Sequence, residues 1–193
     1  MIAHHQRERI LAGAARAIAE RGYRQVTVAD IVKSAAIARA RFYEHFSSKE
    51  DCFLTLHDVG TQEALDVVSS ACAAAGPPER VRTGIEALVD HVETHPDLSR
   101  ALIVEAPAAG NAIGDRFERM LSRFAELLRH GWGDAEANDL APTIEETVVG
   151  GIYWLLYHAL LEHPDELGQL VPQLTEFAQV PLVAAEQAPG AIS

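Results

Sequence analysis

Cysteine, aromatic residues and long hydrophobic runs are all scarce in this sequence of 193 residues. The two cysteines, Cys52 and Cys72, are too few for a disulfide framework in a chain of this length. Because no secretory signal is recognisable at the start, we expect the protein to act in a reducing cytoplasm. The most apolar stretches lie between residues 150 and 161 and are interrupted by His158. They fall short of the ~20 residues that a membrane span needs, so we expect no membrane association.

Catalytic signatures and strand patterns are missing as well. The sequence contains no glycine-rich phosphate loop, no nucleophile elbow and no paired catalytic carboxylates, so we expect neither an enzyme nor a bound cofactor. No stretch alternates convincingly between apolar and polar residues, which excludes a sheet. With 48% hydrophobic and 23% charged residues, the composition is typical of a folded domain. The sequence therefore predicts an all-α protein.

Charge is distributed unevenly along the chain. The net charge is −12, yet residues 1–50 contain nine Lys and Arg residues against five Asp and Glu residues. That segment therefore carries +4, and the remaining 143 residues carry −16. A basic head on an acidic body is the asymmetry expected when only one end of a protein approaches phosphate.

The first fifty residues carry the start and stop signals of several short helices. A periodic apolar helix ends at Gly22, and Thr27 stands as an N-cap before a helix that runs to about Ser34. Residues 35–38 form a turn, and a second short helix covers residues 39–45. Residues 47–50 fit a capping box for a long helix over 48–75, which residues 76–78 stop.

The rest of the chain continues as helices separated by Pro and Gly. A small polar linker follows at residues 131–142, and the final region is predicted to bend at Pro172 and to end near Pro181. The predicted body helices cover residues 79–94, 97–105, 112–130 and 143–162, with a last helical region after residue 164.

Two short helices joined by a four-residue turn need a scaffold to bury their apolar sides. Ile31 and Phe42 are placed to pack against the first helix and the long helix. This packing leaves Arg39, Arg41 and Tyr43 on the other faces of the second short helix. Arginine reads guanine edges or phosphates and tyrosine binds phosphate, so the pattern indicates a helix-turn-helix that enters the major groove of DNA.

Residues 27–50, with the core Phe-Tyr-Glu-His-Phe-Ser-Ser-Lys-Glu, resemble the N-terminal signature of tetracycline-repressor-type (TetR family) regulators. The resemblance covers about residues 8–55. It implies a three-helix DNA-binding domain over residues 1–47 and a helical ligand-binding and dimerisation domain over residues 48–193. It implies that some side chains contact the DNA backbone and others read bases. The backbone contacts would be Thr27, Tyr43, His45 and Lys49, and the base readers Arg39, Ala40 and Arg41.

Three positions depart from the family pattern. Ala36 stands where the family often has Gly, at a turn position that can demand positive φ, which costs an alanine ~1 kcal/mol. Ala38 stands where Ser or Thr often caps the recognition helix, a loss of roughly 0.5–2 kcal/mol. Glu44 places a negative charge near phosphates unless it accepts a hydrogen bond from cytosine. These departures bear on DNA affinity and site preference.

The body is predicted to hold a dimer interface and a small-molecule pocket. The helix over residues 143–162 is apolar nearly all round and must be buried on several sides, and Gly150 and Gly151 allow close helix approach. The resemblance implies a homodimer through the last two helical regions, which would bind a palindromic operator, and an unidentified small-molecule effector. Aromatic residues with a few polar tips are the candidate pocket lining, although aromatic residues at helical spacing more often belong to the core. The candidates are Phe117, Leu121, Phe124, Trp154, Tyr157 and His158.

The preferred hypothesis is a transcriptional regulator, and specifically a repressor released from its operator by a small molecule. One alternative is a metal-binding sensor, because His91 and His95 are spaced to share one helix face. His95 also fits as a helix-end residue, and no third ligand accompanies the pair, so we predict no metal site. A second alternative is a helical adaptor that no longer binds DNA, which the departures at Ala36, Ala38 and Glu44 keep open.

Overall fold

The computed structural model describes residues 2–76, 79–133 and 143–187, and within these ranges every regular element is helical. The predicted absence of a sheet is thus confirmed for the described part of the chain. The elements follow in this order: α1 (Ile2–Arg21), α2 (Val28–Ser34), α3 (Arg39–Tyr43), α4 (Lys49–Ala74), α5 (Arg80–Thr94), α6 (Pro96–Ser99), a π-helix (Arg100–Val104), a 3₁₀-helix (Ala106–Ala109), α7 (Asn111–Trp132), α8 (Ile144–Glu162), a second 3₁₀-helix (Pro164–Leu170) and α9 (Val171–Gln187).

The chain divides into two compact units. Unit 1 comprises Met1–Glu63 and His95–Phe117, and unit 2 comprises Ala64–Thr94 and Glu118–Ser193. Unit 1 therefore extends well beyond residue 47, where the sequence places the end of the DNA-binding domain. The reason lies in the core of unit 1, to which two distant chain segments contribute.

Unit 1 has one apolar core built from both of its segments. From the first segment, Ile10 and Ile18 of α1, Phe42 of α3 and Phe53 of α4 are fully buried. The second segment adds apolar side chains to the same cluster, namely Ala101, Ala106 and Ile113. Burial of these side chains removes apolar surface from water, which is what holds the short helices α2 and α3 in place.

Three predicted helices differ from what the structure contains. The second short helix, predicted over residues 39–45, ends at Tyr43. The single helix predicted over residues 97–105 is wrong, because the chain forms α6, the π-helix and a 3₁₀-helix there instead. The bond from the Glu105 N–H to the Arg100 carbonyl, 3.1 Å long, spans five residues, as in a π-turn. The predicted end near Pro181 is also wrong, because α9 continues through Pro181 to Gln187. Pro77 and Pro78 of the predicted stop, and most of the predicted linker, lie outside the described residues.

Unit 2 packs the helices α5, α7, α8 and α9 around apolar side chains. Val148, Val149, Ile152, Leu156 and Leu160 of α8 are buried, as its apolar sequence predicts. The indole N–H of Trp132 donates to the carbonyl of Ala178 at 2.9 Å and ties the end of α7 to α9. Arg129 forms an ion pair with Glu145, a carboxylate only 2% exposed, and this pair ties α7 to α8.

Candidate nucleic-acid interface

The helix-turn-helix begins at a capping box on α2. The backbone N–H of Asp30 donates to the Thr27 hydroxyl oxygen at 3.3 Å, and the backbone N–H of Thr27 donates to the Asp30 carboxylate at 2.9 Å. The Thr27 hydroxyl donates to the same carboxylate at 2.6 Å. These bonds, with the nearby Arg21 and Lys33 cations, lower the pKa of Asp30. Thr27 thus fixes the start of α2, while its side chain stays exposed at the position predicted for a phosphate contact.

The turn after α2 is a Schellman motif with an alanine in the left-handed position. The N–H of Ile37 donates to the Val32 carbonyl at 3.1 Å, and the N–H of Ala36 donates to the Lys33 carbonyl at 3.2 Å. Ala36 has φ = +51° and, in the described ranges, no other residue except glycine has a positive φ. The positive φ expected at this departure from the family pattern is therefore present, with its steric cost.

The candidate recognition helix α3 is five residues long and has no side-chain cap. Ala38 occupies the N-cap with φ −74° and ψ 146° and supplies no side-chain hydrogen bond. Phe42 is fully buried and packs edge-on against the ring of Tyr43, with 5.4 Å between the ring centres. Tyr43 itself is 48% exposed. One buried ring thus anchors the helix, and its remaining faces are open to solvent.

The two arginines of this helix each contact a nearby side chain. A guanidinium nitrogen of Arg39 lies 3.3 Å from the Tyr43 hydroxyl, and its centre lies 5.7 Å from the Tyr43 ring centre. Arg41 forms an ion pair with Glu44 at 2.7 Å. Both partners of this pair are more than half exposed, so exchanging it for a contact to DNA costs little, about 0–1 kcal/mol. Glu44 therefore sits as the counter-ion of Arg41.

Lys49 lies at the start of α4 and points to the loop after α1. Its ammonium donates to the Tyr23 carbonyl at 2.8 Å and lies 4.5 Å from the centre of the Tyr23 ring. The Tyr23 ring is buried against Phe53, and this burial raises the pKa of Tyr23. One of the three ammonium N–H groups is thereby used inside the protein, and the role of Lys49 as a phosphate contact stays a prediction.

Unit 1 contains all seven predicted DNA-contacting residues. Arg39, Ala40, Arg41 and Tyr43 are exposed on α3, and His45, which follows the helix, is half-buried. Sequence reasoning missed the residues that support this surface, Arg9, Arg16 and Glu105. In the sequence, Arg9 and Arg16 stand out only as part of the positive charge of residues 1–50. Nothing in the sequence links Glu105 to a loop 82 residues away.

The predicted pocket residues are dispersed. Phe117, Leu121 and Phe124 are half-buried on α7, the first in unit 1 and the other two in unit 2. Trp154, Tyr157 and His158 contact one another on α8, with 4.2 Å between the ring centres of Trp154 and His158. Trp154 is 60% exposed, so its position does not favour a role in lining an interior pocket. Helical spacing alone could not tell which way this ring faces.

Neither a metal cluster nor a spanning helix is found in the described ranges. Three or more His, Cys, Asp or Glu side chains nowhere converge there as a metal site would require, around His91 and His95 or elsewhere. Among the same residues, none of the helices has the length and apolar character needed to cross a membrane.

Unit 1 defines an α-helical DNA-binding domain of helix-turn-helix type. Residues 10–56 match the family model described as bacterial regulatory proteins, tetR family. Over 94 residues it is 34% identical to the HTH-type transcriptional regulator EthR of Mycolicibacterium smegmatis. That match covers 48% of this chain and 43% of EthR, so it spans less than half the length of this curated relative.

Solved structures extend the likeness over most of the chain. The fatty acid degradation regulator FadR of Bacillus halodurans superposes with a TM-score of 0.77 at 20% identity, over 89% of this chain and 96% of that one. FadR of Bacillus subtilis, solved in complex with stearoyl-CoA, gives 0.75 at the same identity and coverage. This likeness confirms the predicted all-helical fold.

Proposed function

We propose that the chain is a sequence-specific transcriptional regulator, and a repressor that a small molecule releases from its operator in the cytoplasm. The observation that carries this proposal is the form of α3, which is anchored by Phe42 and presents Arg39, Arg41 and Tyr43 to solvent. A short helix with that surface fits a major groove, where arginine pairs with guanine edges.

Within this proposal the seven head residues have two roles. Arg39 and Arg41 read bases, and the methyl group of Ala40 lies between them for contact with thymine. The other residues fix the protein on the DNA backbone, with one of them at the start of α2 and another at the start of α4. These are Thr27, Tyr43, His45 and Lys49.

The repressor acts as a homodimer through α8 and α9. Both helices belong to unit 2, and both expose large apolar side chains. Trp154 is 60% exposed and Leu161 44% on α8, while Val180 is 53% and Val183 49% exposed on α9. Exposed apolar side chains of this size support a surface that another protein covers. A two-fold assembly also provides the two recognition helices that a palindromic operator requires.

The effector is a mainly apolar small molecule that binds the helical body. The half-buried aromatic and aliphatic side chains of α7 and α8 offer apolar lining, with Tyr157 and His158 as polar tips. Because a structural neighbour was solved with stearoyl-CoA, that compound is the first probe to use.

A selection of bound sites from random DNA tests the proposal. We expect a palindromic site, and purified protein should then shift that DNA in a gel. Arg39→Ala should relax the preference at one base position in each half-site, whereas Lys49→Ala should weaken all sequences and lower the log–log salt slope by roughly one per subunit. If no sequence is enriched, the chain is instead a helical adaptor and the proposal fails.

The effector is tested with the selected operator. Stearoyl-CoA and a thermal-shift library should yield at least one compound that stabilises the protein and weakens operator binding. By reciprocity, DNA must weaken the binding of that compound by the same factor. Compounds that stabilise the protein without changing its operator affinity would leave a DNA-binding dimer without this regulation.

A further inference from the structure

The carbonyl groups around the helix-turn-helix turn are shared between the turn itself and α1. The Schellman bonds occupy the carbonyls of Val32 and Lys33. The next three carbonyls accept hydrogen bonds from arginines of α1. Arg16 donates to the Ser34 carbonyl at 3.0 Å, and one guanidinium nitrogen of Arg9 donates to the carbonyls of Ala35 and Ala36, both at 3.1 Å.

A glycine between the two arginines allows α1 to approach this closely. Arg9, Gly13 and Arg16 follow one another at four and three residues, so they share one face of the helix. A Cβ atom at Gly13 would lie 2.6 Å from the Cβ and 2.7 Å from the backbone nitrogen of Ala35. Because atoms cannot approach so closely, any larger residue at position 13 would push α1 away from the turn.

The turn needs contacts from another helix because its own residues do not favour its backbone conformation. Ala36 holds a positive φ without the freedom of glycine, and Ala38 gives α3 no side-chain cap. A strained backbone persists only where the surrounding structure over-determines it. A helix of five residues is too short to be stable by itself, so its direction follows from the turn before it.

We infer that Arg9 and Arg16 are positioning residues for DNA recognition, which hold the strained turn from α1 and so set the direction of α3. This inference rests on the proposed function. It adds an explanation of how the chain tolerates alanine at positions 36 and 38, where glycine and a capping residue would favour the turn. The two guanidinium groups act on DNA binding through backbone carbonyls, without contacting phosphate themselves.

The first experiment measures operator affinity and its salt dependence in the full-length protein. Arg9→Ala and Arg16→Ala should each weaken binding to the selected operator about tenfold while leaving the log–log salt slope unchanged, since no phosphate contact is lost. In a background that carries Ala36→Gly, the same substitutions should weaken operator binding only about twofold to threefold. The reason is that glycine relaxes the turn, which then depends less on the hydrogen bonds from Arg9 and Arg16, here called the arginine clamp.

Arg24→Ala is the matched control, since it removes the same charge from unit 1 and no bond joins Arg24 to the turn in the described structure. Its effect should be equal in the wild-type and Ala36→Gly backgrounds. A fall in the salt slope by about one on Arg9→Ala would make Arg9 a phosphate contact and overturn the inference. Equal losses for the arginine variants in the two backgrounds would overturn it as well.

Amide hydrogen exchange supplies a readout that needs no DNA. Arg9→Ala should speed exchange of the Ile37 N–H, which bonds to Val32 at 3.1 Å, by about tenfold relative to amides in α5. Unchanged exchange would refute the arginine clamp even if the operator is found. If no operator is found, the proposed function fails while this measurement still tests the arginine clamp.

Discussion

The carboxylate of Glu105 accepts a hydrogen bond from the backbone N–H of Tyr23 at 3.0 Å, although 82 residues separate the two. Gly22, with φ = +79°, lies against the same carboxylate, because a Cβ there would be 3.2 Å from a Glu105 oxygen. Nearby, Arg100 donates to the Ala19 carbonyl at 3.1 Å. The second segment of unit 1 therefore holds the end of α1 and the loop that precedes the helix-turn-helix.

Glu105→Ala should lower the free energy of unfolding by about 1–2 kcal/mol, because a backbone N–H loses its charged acceptor. Glu105→Gln keeps an acceptor oxygen and should lose less than half as much. Denaturant titration measures both values, with the exposed Asp115→Ala as a control expected within about 0.5 kcal/mol of wild type. Equal losses for Gln and Ala would mean that the hydrogen bond is not what stabilises the loop.

Ala38→Ser should stabilise the protein by about 0.5–2 kcal/mol, because serine at the N-cap accepts a hydrogen bond from an early N–H of α3. The side chain at position 38 is exposed, so the added hydroxyl meets no packing constraint. Ala40→Ser, inside the same helix, is the matched control and should not stabilise. Thermal and denaturant unfolding check the result. A destabilised Ala38→Ser variant would argue against the N-cap geometry described for α3.

Gly150→Leu should weaken the dimer while leaving the fold of the subunit intact. A Cβ at Gly150 meets no atom of the described structure within 4 Å, and Gly150 shares its helix face with the exposed Trp154. A leucine there would obstruct a second copy of the chain. Sedimentation should show a dimer for wild type at micromolar concentration and more monomer for the variant.

Two other glycines serve as controls for that experiment. Gly114 on α7 also has open space around it, so Gly114→Leu should leave the dimer unchanged. At Gly151, a Cβ would lie 2.6 Å from the Phe177 ring, so Gly151→Leu should destabilise the subunit itself. A wild type that sediments as a monomer would contradict the proposed assembly.

Stability should fall in mild acid because of His57. The side chain is 1% exposed, and burial lowers its pKa below the usual 6.5, with Arg116 acting in the same direction and Asp58 against it. As the pH drops through about 6.5, the unfolded chain binds a proton that the folded chain does not. The folded state then loses up to about 1.4 kcal/mol per pH unit until the lowered pKa is reached, and above this range His57 has no effect.

Free energies of unfolding between pH 7.5 and 5, compared for wild type and His57→Gln, isolate this contribution. The variant should show a shallower loss over that range, whatever its absolute stability. His163→Gln, which changes an exposed histidine, should follow wild type. Parallel curves for wild type and His57→Gln would contradict the assignment.

Local signals account for what the sequence predicts of the head. Thr27, Gly22 and the turn around Ala36 act within a few residues, and so the bounds of α2 and of the turn agree with the structure. The N-cap of α4 lies one residue further along the chain than predicted. Ser48 accepts the N–H of Asp51 at 3.0 Å, so the acidic partner at that helix start is Asp51 and not Glu50.

Features that depend on distant contacts could not be predicted. A π-turn has no sequence signature, and the bond of Glu105 to Tyr23 depends on how two segments fold together. Pro181 is a helix breaker by propensity, yet α9 passes through it with Leu174 and Ala178 fully buried just before. Tertiary burial outweighs the local preference there. The direction of Trp154 depends on packing in the same way.

The shared core of unit 1 has a consequence for protein engineering. A chimeric regulator is designed by joining the DNA-reading part of one chain to the sensing part of another. If the cut were made after residue 47 or 63, the transplanted piece would leave behind Ala101, Ala106 and Ile113, and apolar surface of the head would face a foreign partner. A working graft from this chain should therefore carry residues 95–117 together with residues 1–63, as one discontinuous module.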